Sequence, residues 1–260
     1  MDVRKPAVAG LFYEADPHRL AQHIAALMGA VHAADRQRPK ALIVPHAGYI
    51  YSGPTAAEAY HCLLPLRDTI ERVVLLGPAH RVYLQGMAVP SVDAFATPLG
   101  EVALDQPSIG RIRQLAGVCV SDEAHRAEHS LEVQLPFLQS VLGQFSLVPV
   151  VVGDCDPERV AAVVDALWGG PETLLVVSTD LSHFHSYEEA RSLDSRTCDR
   201  LAAGDSALTG ADACGARALN GLMRSRHGRQ LAVELLDLRN SGDTAGDKTR
   251  VVGYGAFLLH

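Results

Sequence analysis

Three short apolar runs in this chain end on residues able to do metal or proton chemistry. Ala41-Leu-Ile-Val-Pro leads to His46, Val73-Val-Leu-Leu-Gly-Pro-Ala leads to His80, and Leu174-Leu-Val-Val-Ser-Thr leads to Asp180, with His183 three residues further on. Imidazole is the commonest metal ligand and the side chain whose ordinary pKa lies nearest neutrality. Taken singly, a histidine after a strand is more often a hydrogen-bonded structural residue than a ligand. Two at the ends of consecutive strands favour ligation, because the Pro and Gly beside each fix the exit of the chain and admit close approach. In the third segment Asp180 is placed either to orient an imidazole or to cap a following helix.

Two further segments carry chemistry. His125-Arg-Ala-Glu128-His129 matches H-x-x-E-H, the inverted zinc-peptidase signature, which needs helix from 125 onward; the competing reading pairs His129 with Glu132 on one helical face. Cys214, in Asp212-Ala-Cys-Gly215, falls at the expected start of a helix, where free backbone N–H groups favour a thiolate. A soft thiolate beside His46 and His80 makes a compact His2Cys site. Cys62, Cys119, Cys155 and Cys198 read as packing residues. Phe12, Tyr13, Tyr49 and Tyr51 are placed to line a pocket, although aromatics near strand ends are usually core.

The elements that must position these groups read as an α/β fold. From Lys40 the pattern gives strand 41–45, helix 55–66 and strand 72–76, a βαβ unit whose chemistry sits beyond both strand ends, so His46 and His80 are expected to be neighbours. A hairpin is expected across 95–105, a helix over 106–116, a strand at 118–120, and a helix over 127–142 from the spacing of Leu131, Leu135, Leu138 and Leu142. Strand 146–152, a helix starting at Asp156-Pro157, strand 173–178, helices near 186–203 and 212–227, and strands at 231–238 and 250–259 complete it.

Composition narrows the class. With 260 residues, 48% of them hydrophobic, the chain is expected to form one domain, 1–260, around a large core. A net charge of −7 argues against nucleic acid as a partner. No run approaches the roughly 18 apolar residues of a membrane helix, so no membrane partner is expected. Five cysteines, odd in number and without CxxC, suit a reducing compartment and a cytoplasmic location.

Read together, Arg4-Lys-Pro-Ala-Val-Ala-Gly-Leu-Phe-Tyr13, Pro45-His-Ala-Gly-Tyr-Ile-Tyr-Ser-Gly53, Leu76-Gly-Pro-Ala-His80, Glu128-His-Ser-Leu-Glu-Val-Gln-Leu-Pro136, Ser178-Thr-Asp-Leu-Ser-His183 and Asp212-Ala-Cys-Gly215 resemble, in order, the Memo family. That family, also called AmmeMemoRadiSam system protein B, is similar in fold to the LigB-type class III extradiol dioxygenases, non-haem iron enzymes with an α/β sandwich. The resemblance implies a single-domain α/β/α sandwich around a mostly parallel or mixed sheet. It implies metal ligation by His46, His80 and Cys214, with His129, Asp180 and His183 around the same pocket as catalytic groups and His125 outside it. Phe12, Tyr49, Tyr51 and Glu132 are expected to contact substrate.

Fe(II) is the expected metal, copper the second choice and zinc the third. A thiolate where the ring-cleaving enzymes complete a 2-His-1-carboxylate set separates the chain from their electronics. The expected activity is dioxygenase-like oxidation of a small chelating substrate. The alternatives are a binding, scaffold or metal-handling role and, third, zinc hydrolysis through His125 and His129. Animal Memo proteins are described as binding phosphotyrosine peptides, and Phe12 stands where they have an N-terminal tryptophan. A small-molecule or peptide ligand is therefore expected, together with AMMECR-type and radical-SAM partner proteins.

Overall fold

The apolar runs 41–44, 73–78, 147–152 and 174–178 are buried along their whole length, as strands covered on both faces are. A computed structural model, which describes every residue except Met1, Ala33 and Asp35, makes them the centre of a nine-stranded sheet. In chain order the elements are β1 (Val3–Arg4), α1 (Pro17–Gly29), β2 (Ala41–Val44), α2 (Tyr49–His61), β3 (Arg72–Pro78), β4 (Met87–Val89), β5 (Ala94–Thr97) and β6 (Gly100–Ala103). There follow α3 (Gln106–Ile112), β7 (Val118–Val120), α4 (Asp122–Arg126), α5 (Leu135–Val141), β8 (Ser146–Val152), α6 (Pro157–Leu167) and β9 (Thr173–Ser178). The chain closes through β10 (His183–His185), α7 (Tyr187–Ala202), α8 (Ala216–Arg224), β11 (Val233–Asn240) and β12 (Val251–Leu259).

The large sheet runs β10-β12-β2-β9-β3-β8-β4-β7, with β11 paired to β12. Its centre, β2-β9-β3-β8, is parallel, while β12 and β4 run antiparallel to it on either side. Helices α1, α2 and α5 pack on one another, and α6 packs against α3 and α8 as a separate group, so the sheet is flanked by helical layers as an α/β/α sandwich. The expected hairpin at 95–105 is present as β5 and β6, but it pairs with β1 in a second, three-stranded sheet. Among the described residues no helix is long and apolar enough to cross a membrane.

Several expectations are corrected. Strands β2 and β3 are not adjacent in the sheet, because β9 lies between them and pairs with both. Helix α2 begins at Tyr49, not 55, and carries Pro54 inside it, so it starts three residues after His46. The continuous helix expected over 127–142 is absent: α4 stops at Arg126, 127–131 is irregular, and a 3-10 turn at Glu132–Gln134 leads into α5. The break is where function sits, since Glu128 turns its carboxylate onto the backbone N–H groups of His129 and Ser130 instead of leaving them to a helix ladder. Helix α1, in the stretch before Lys40, follows from Asp16, whose side chain accepts from Arg19 N, and Pro17 at the first helical position.

Candidate metal centre

Because β2, β9 and β3 are parallel, the residues that follow them emerge at one end of the sheet, where crevices in open α/β folds form. His46 lies two residues beyond Val44 and His80 two beyond Pro78, and the irregular segment 127–131 brings His129 over the same end. Gly77 permits this approach: a Cβ there would come within 2.8 Å of Leu131 and 2.9 Å of Ser130 Oγ. The rings of His46 and His80 meet at 5.1 Å between centroids, His46 and His129 at 5.4 Å, and His80 and His129 at 4.8 Å. One ligating atom from each of the three lies within 4.8 Å of the other two.

Two of the three rings are held from behind. His46 is buried, its Nδ1 lies 2.9 Å from Ser178 Oγ, and its backbone N–H donates to Asp180 Oδ1 at 2.8 Å. Glu128, also buried, accepts from His80 Nδ1 at 2.9 Å and His80 N at 2.6 Å, and from the N–H groups of His129 and Ser130 at 3.0 and 2.9 Å. Burial alone raises a carboxyl pKa, but the His80 ring and these N–H donors outweigh it and hold Glu128 down at about 2. A carboxylate behind the outer ring nitrogen fixes the tautomer that leaves Nε2 with a free lone pair, the usual support of a metal-binding histidine.

His129 packs against the Phe12 ring at 4.8 Å. Its Nδ1 is buried without a hydrogen-bond partner, 3.5 Å from Glu128 Oε1. An orphaned imidazole nitrogen beside two other imidazoles is what a missing electron-pair acceptor leaves behind, so the three residues fit a bound metal ion. Burial pushes His129 down to about 4 and His46 well below the ordinary histidine value, so both rings are neutral near pH 7, the form that ligates.

Cys214 sits immediately before Gly215, which precedes α8, and not inside a helix from 212. Its Sγ lies 3.3 Å from His46 Nε2 and accepts from Asp180 N at 3.3 Å. Gly215 lets that turn close on β9, since a Cβ would fall 2.7 Å from Thr179. Burial, then the nearby Asp180 carboxyl, pushes the thiol up to about 12. The mutually converging set is therefore His46, His80 and His129, and Cys214 adjoins it through His46 alone of the three.

The remaining expected site residues are placed as follows. Asp180 caps no helix, because the chain runs on into β10 and α7 starts at Tyr187; its Oδ2 lies 3.9 Å from His46 Nε2, and burial raises it to about 7. It holds His46 and does not orient His129 or His183. His183 is half-buried on β10, with burial lowering its pKa. Phe12 packs on His129 at the centre with its ring tilted by 43°, whereas Tyr49 is core: it is buried and donates to Val133 O at 2.6 Å. Tyr51 is half-buried in α2, and Thr244 Oγ1 donates to its carbonyl.

Glu132 has a different job from substrate contact. Fully buried, it accepts from Arg4, from the N–H groups of Ala7 and Val8, and from Tyr13 OH, and so ties down the N-terminal segment that delivers Phe12. His125 takes no part in the cluster: its Nε2 lies 2.9 Å from Ala88 O, and α4 ends before His129, so the zinc-peptidase arrangement does not form. Glu128 and Ser178 are the supporting residues that sequence reasoning did not assign. Glu128 was legible only as the acid of H-x-x-E-H.

Fold and site together define an α/β sandwich protein with a three-histidine cluster beyond the ends of its parallel strands. The Memo-like protein family matches residues 4–258, and the chain belongs to it. It is 36% identical to a MEMO1 family protein of Archaeoglobus fulgidus, covering 99% of each chain, and 37% identical to one of Aquifex aeolicus, covering 98% of each. A solved structure of an uncharacterized protein, JW3007, from Escherichia coli K12 shares the fold with TM-score 0.53 and 14% identity, covering 84% of this chain and 99% of that one.

Proposed function

We propose that this Memo-family chain is a mononuclear redox metalloprotein that binds Fe(II) through His46, His80 and His129 and oxidises a small chelating substrate. The observation that carries the reading is the convergence of three imidazoles on one point, with His46 and His129 held neutral by burial and His80 backed by Glu128. Bound there, iron would supply redox chemistry and a place for dioxygen. Glu128 keeps the His80 lone pair directed at the ion, and Ser178 and Asp180 keep His46 in place. Asp180, raised by burial to about 7, and His183, lowered by burial, lie outside the trio and are the groups to hold or move a substrate proton.

A second reading, metal handling or partner binding without catalysis, is favoured by the donor set. No carboxylate belongs to the trio, and a sulfur stands against His46, a combination that also suits copper. In that case the AMMECR-type and radical-SAM proteins expected from the sequence are the partners to test. Anaerobic loading with Fe(II), followed by oxygen uptake across a series of catechols, separates the two. Uptake that disappears in His129→Ala supports the oxidase reading; a fully loaded protein with no uptake supports the second. Loading with Cu(I) in parallel, with Cys214→Ser as control, tests the choice of metal.

A further inference from the structure

We propose that Gln134 and Ser178 are positioning residues that form a neutral relay, keeping the proton of His46 on Nδ1 and presenting a bare Nε2 to the space shared with His80 and His129. The inference deepens the reading of these histidines as a metal centre and takes its purpose from it, but the relay itself belongs to the metal-free chain. It also makes the two strand-end histidines differ in kind. His80 is backed by the Glu128 carboxylate, whereas His46 is backed by a hydroxyl and an amide that carry no charge.

The proton positions follow from counting donors and acceptors. Tyr60 of α2, Gln134 of the 3-10 turn, Ser130, Ser178 at the end of β9 and His46 are all buried, so each polar group must find its partner within the chain. Pro45 O can only accept, so the atom of the Gln134 amide that faces it, at 2.9 Å, is the nitrogen. Burial keeps the Tyr60 phenol protonated, and it donates to Gln134 Oε1 at 2.8 Å, which fixes the amide from its other end. The remaining N–H of Gln134 points at Ser178 Oγ, 2.8 Å away, and occupies one of its two lone pairs. Ser178 has a single proton to give, and Ser130 O, again an acceptor alone, takes it at 2.6 Å. What Ser178 offers His46 Nδ1, at 2.9 Å, is its second lone pair, so the contact forms only when Nδ1 carries the proton. The opposite tautomer would set two lone pairs against each other or strip Ser130 O of its donor. Nε2 is then left as the acceptor beside Cys214 Sγ, on the side of the ring away from Ser178.

The test is nitrogen NMR of the metal-free full chain with 15N-labelled histidine near neutral pH, the His46 signals being assigned by their loss in His46→Gln. In the parent protein Nδ1 should resonate as a protonated nitrogen and Nε2 as a bare one. In Ser178→Ala the opposite tautomer should appear, and Ser178→Thr, which restores a hydroxyl, should bring the parent pattern back. Gln134→Leu, which frees the Ser178 hydroxyl to turn, should also admit the second tautomer. A proton on Nε2 in the parent, or a parent pattern that survives in Ser178→Ala or in Gln134→Leu, overturns the relay. Residues that merely pack would change stability and leave the tautomer alone. Because no metal is present, failure of the metal centre and failure of the relay give different results.

Discussion

Replacing Glu128 by Gln removes one charge from the place where the centre is assembled. The carboxylate accepts four hydrogen bonds, three at Oε1 and one, from His80 N, at Oε2. A carboxamide has a single acceptor oxygen, and the arrangement that keeps three contacts turns its NH2 toward His80 N–H. One bond to a charged acceptor is lost in a buried site, about 1.5–3 kcal/mol of folding stability. The neutral oxygen also holds the His80 Nδ1 proton less firmly, so the metal-directed lone pair is less well defined. Loss of such a partner typically costs about 10–100-fold in metal affinity, or about 1.4–2.8 kcal/mol. The assay is competition for Fe(II) and Co(II) against a chromophoric chelator, with thermal unfolding of the metal-free variant alongside. In a cycle with His80→Ala, the affinity losses should be strongly non-additive, because both substitutions act through one ring. Unchanged affinity in Glu128→Gln, or additive losses, would refute the reasoning.

Other perturbations follow from the same geometry. Arg4→Met breaks a fully buried ion pair and leaves Glu132 uncompensated, so chemical denaturation should show a loss of roughly 3–5 kcal/mol, with Phe12 released from His129. His125 is held neutral by burial, with a folded pKa of about 4 against the ordinary 6.5. The unfolded chain therefore takes up this proton first as pH falls: the stability is present above pH 6.5 and drains away toward pH 4, about 3 kcal/mol in all. Denaturation of the metal-free His125→Gln variant between those pH values should show a shallower pH slope than the parent. Cys214→Ser should leave metal stoichiometry intact while altering the near-ultraviolet absorption of the copper-loaded protein; loss of the ion would make the sulfur an obligatory ligand.

How much of this was legible depended on distance along the chain. Strands β2, β3, β8 and β9 were readable because burial on both faces leaves unbroken apolar runs, and their ends located His46 and His80. The insertion of β9 between β2 and β3 was not, since strand order is set by long-range packing that a local pattern does not carry. The helix over 127–142 failed for a related reason. Leu131, Leu135 and Leu138 do face the core, but Glu128 takes up backbone N–H groups and ends the regular structure just where His129 must leave it. Glu132 looked like a site residue by proximity to His129. Its partners, Arg4 and Tyr13, lie more than a hundred positions earlier, where no spacing rule reaches.

The central claim is that His46, His80 and His129 share one ion. Anomalous diffraction at the iron edge, from crystals of anaerobically Fe(II)-loaded protein, tests it directly. The account predicts a single strong peak within about 2.0–2.3 Å of a nitrogen from each of the three rings. Iron bound with no peak between those rings, or a peak beside His125 instead, would contradict it.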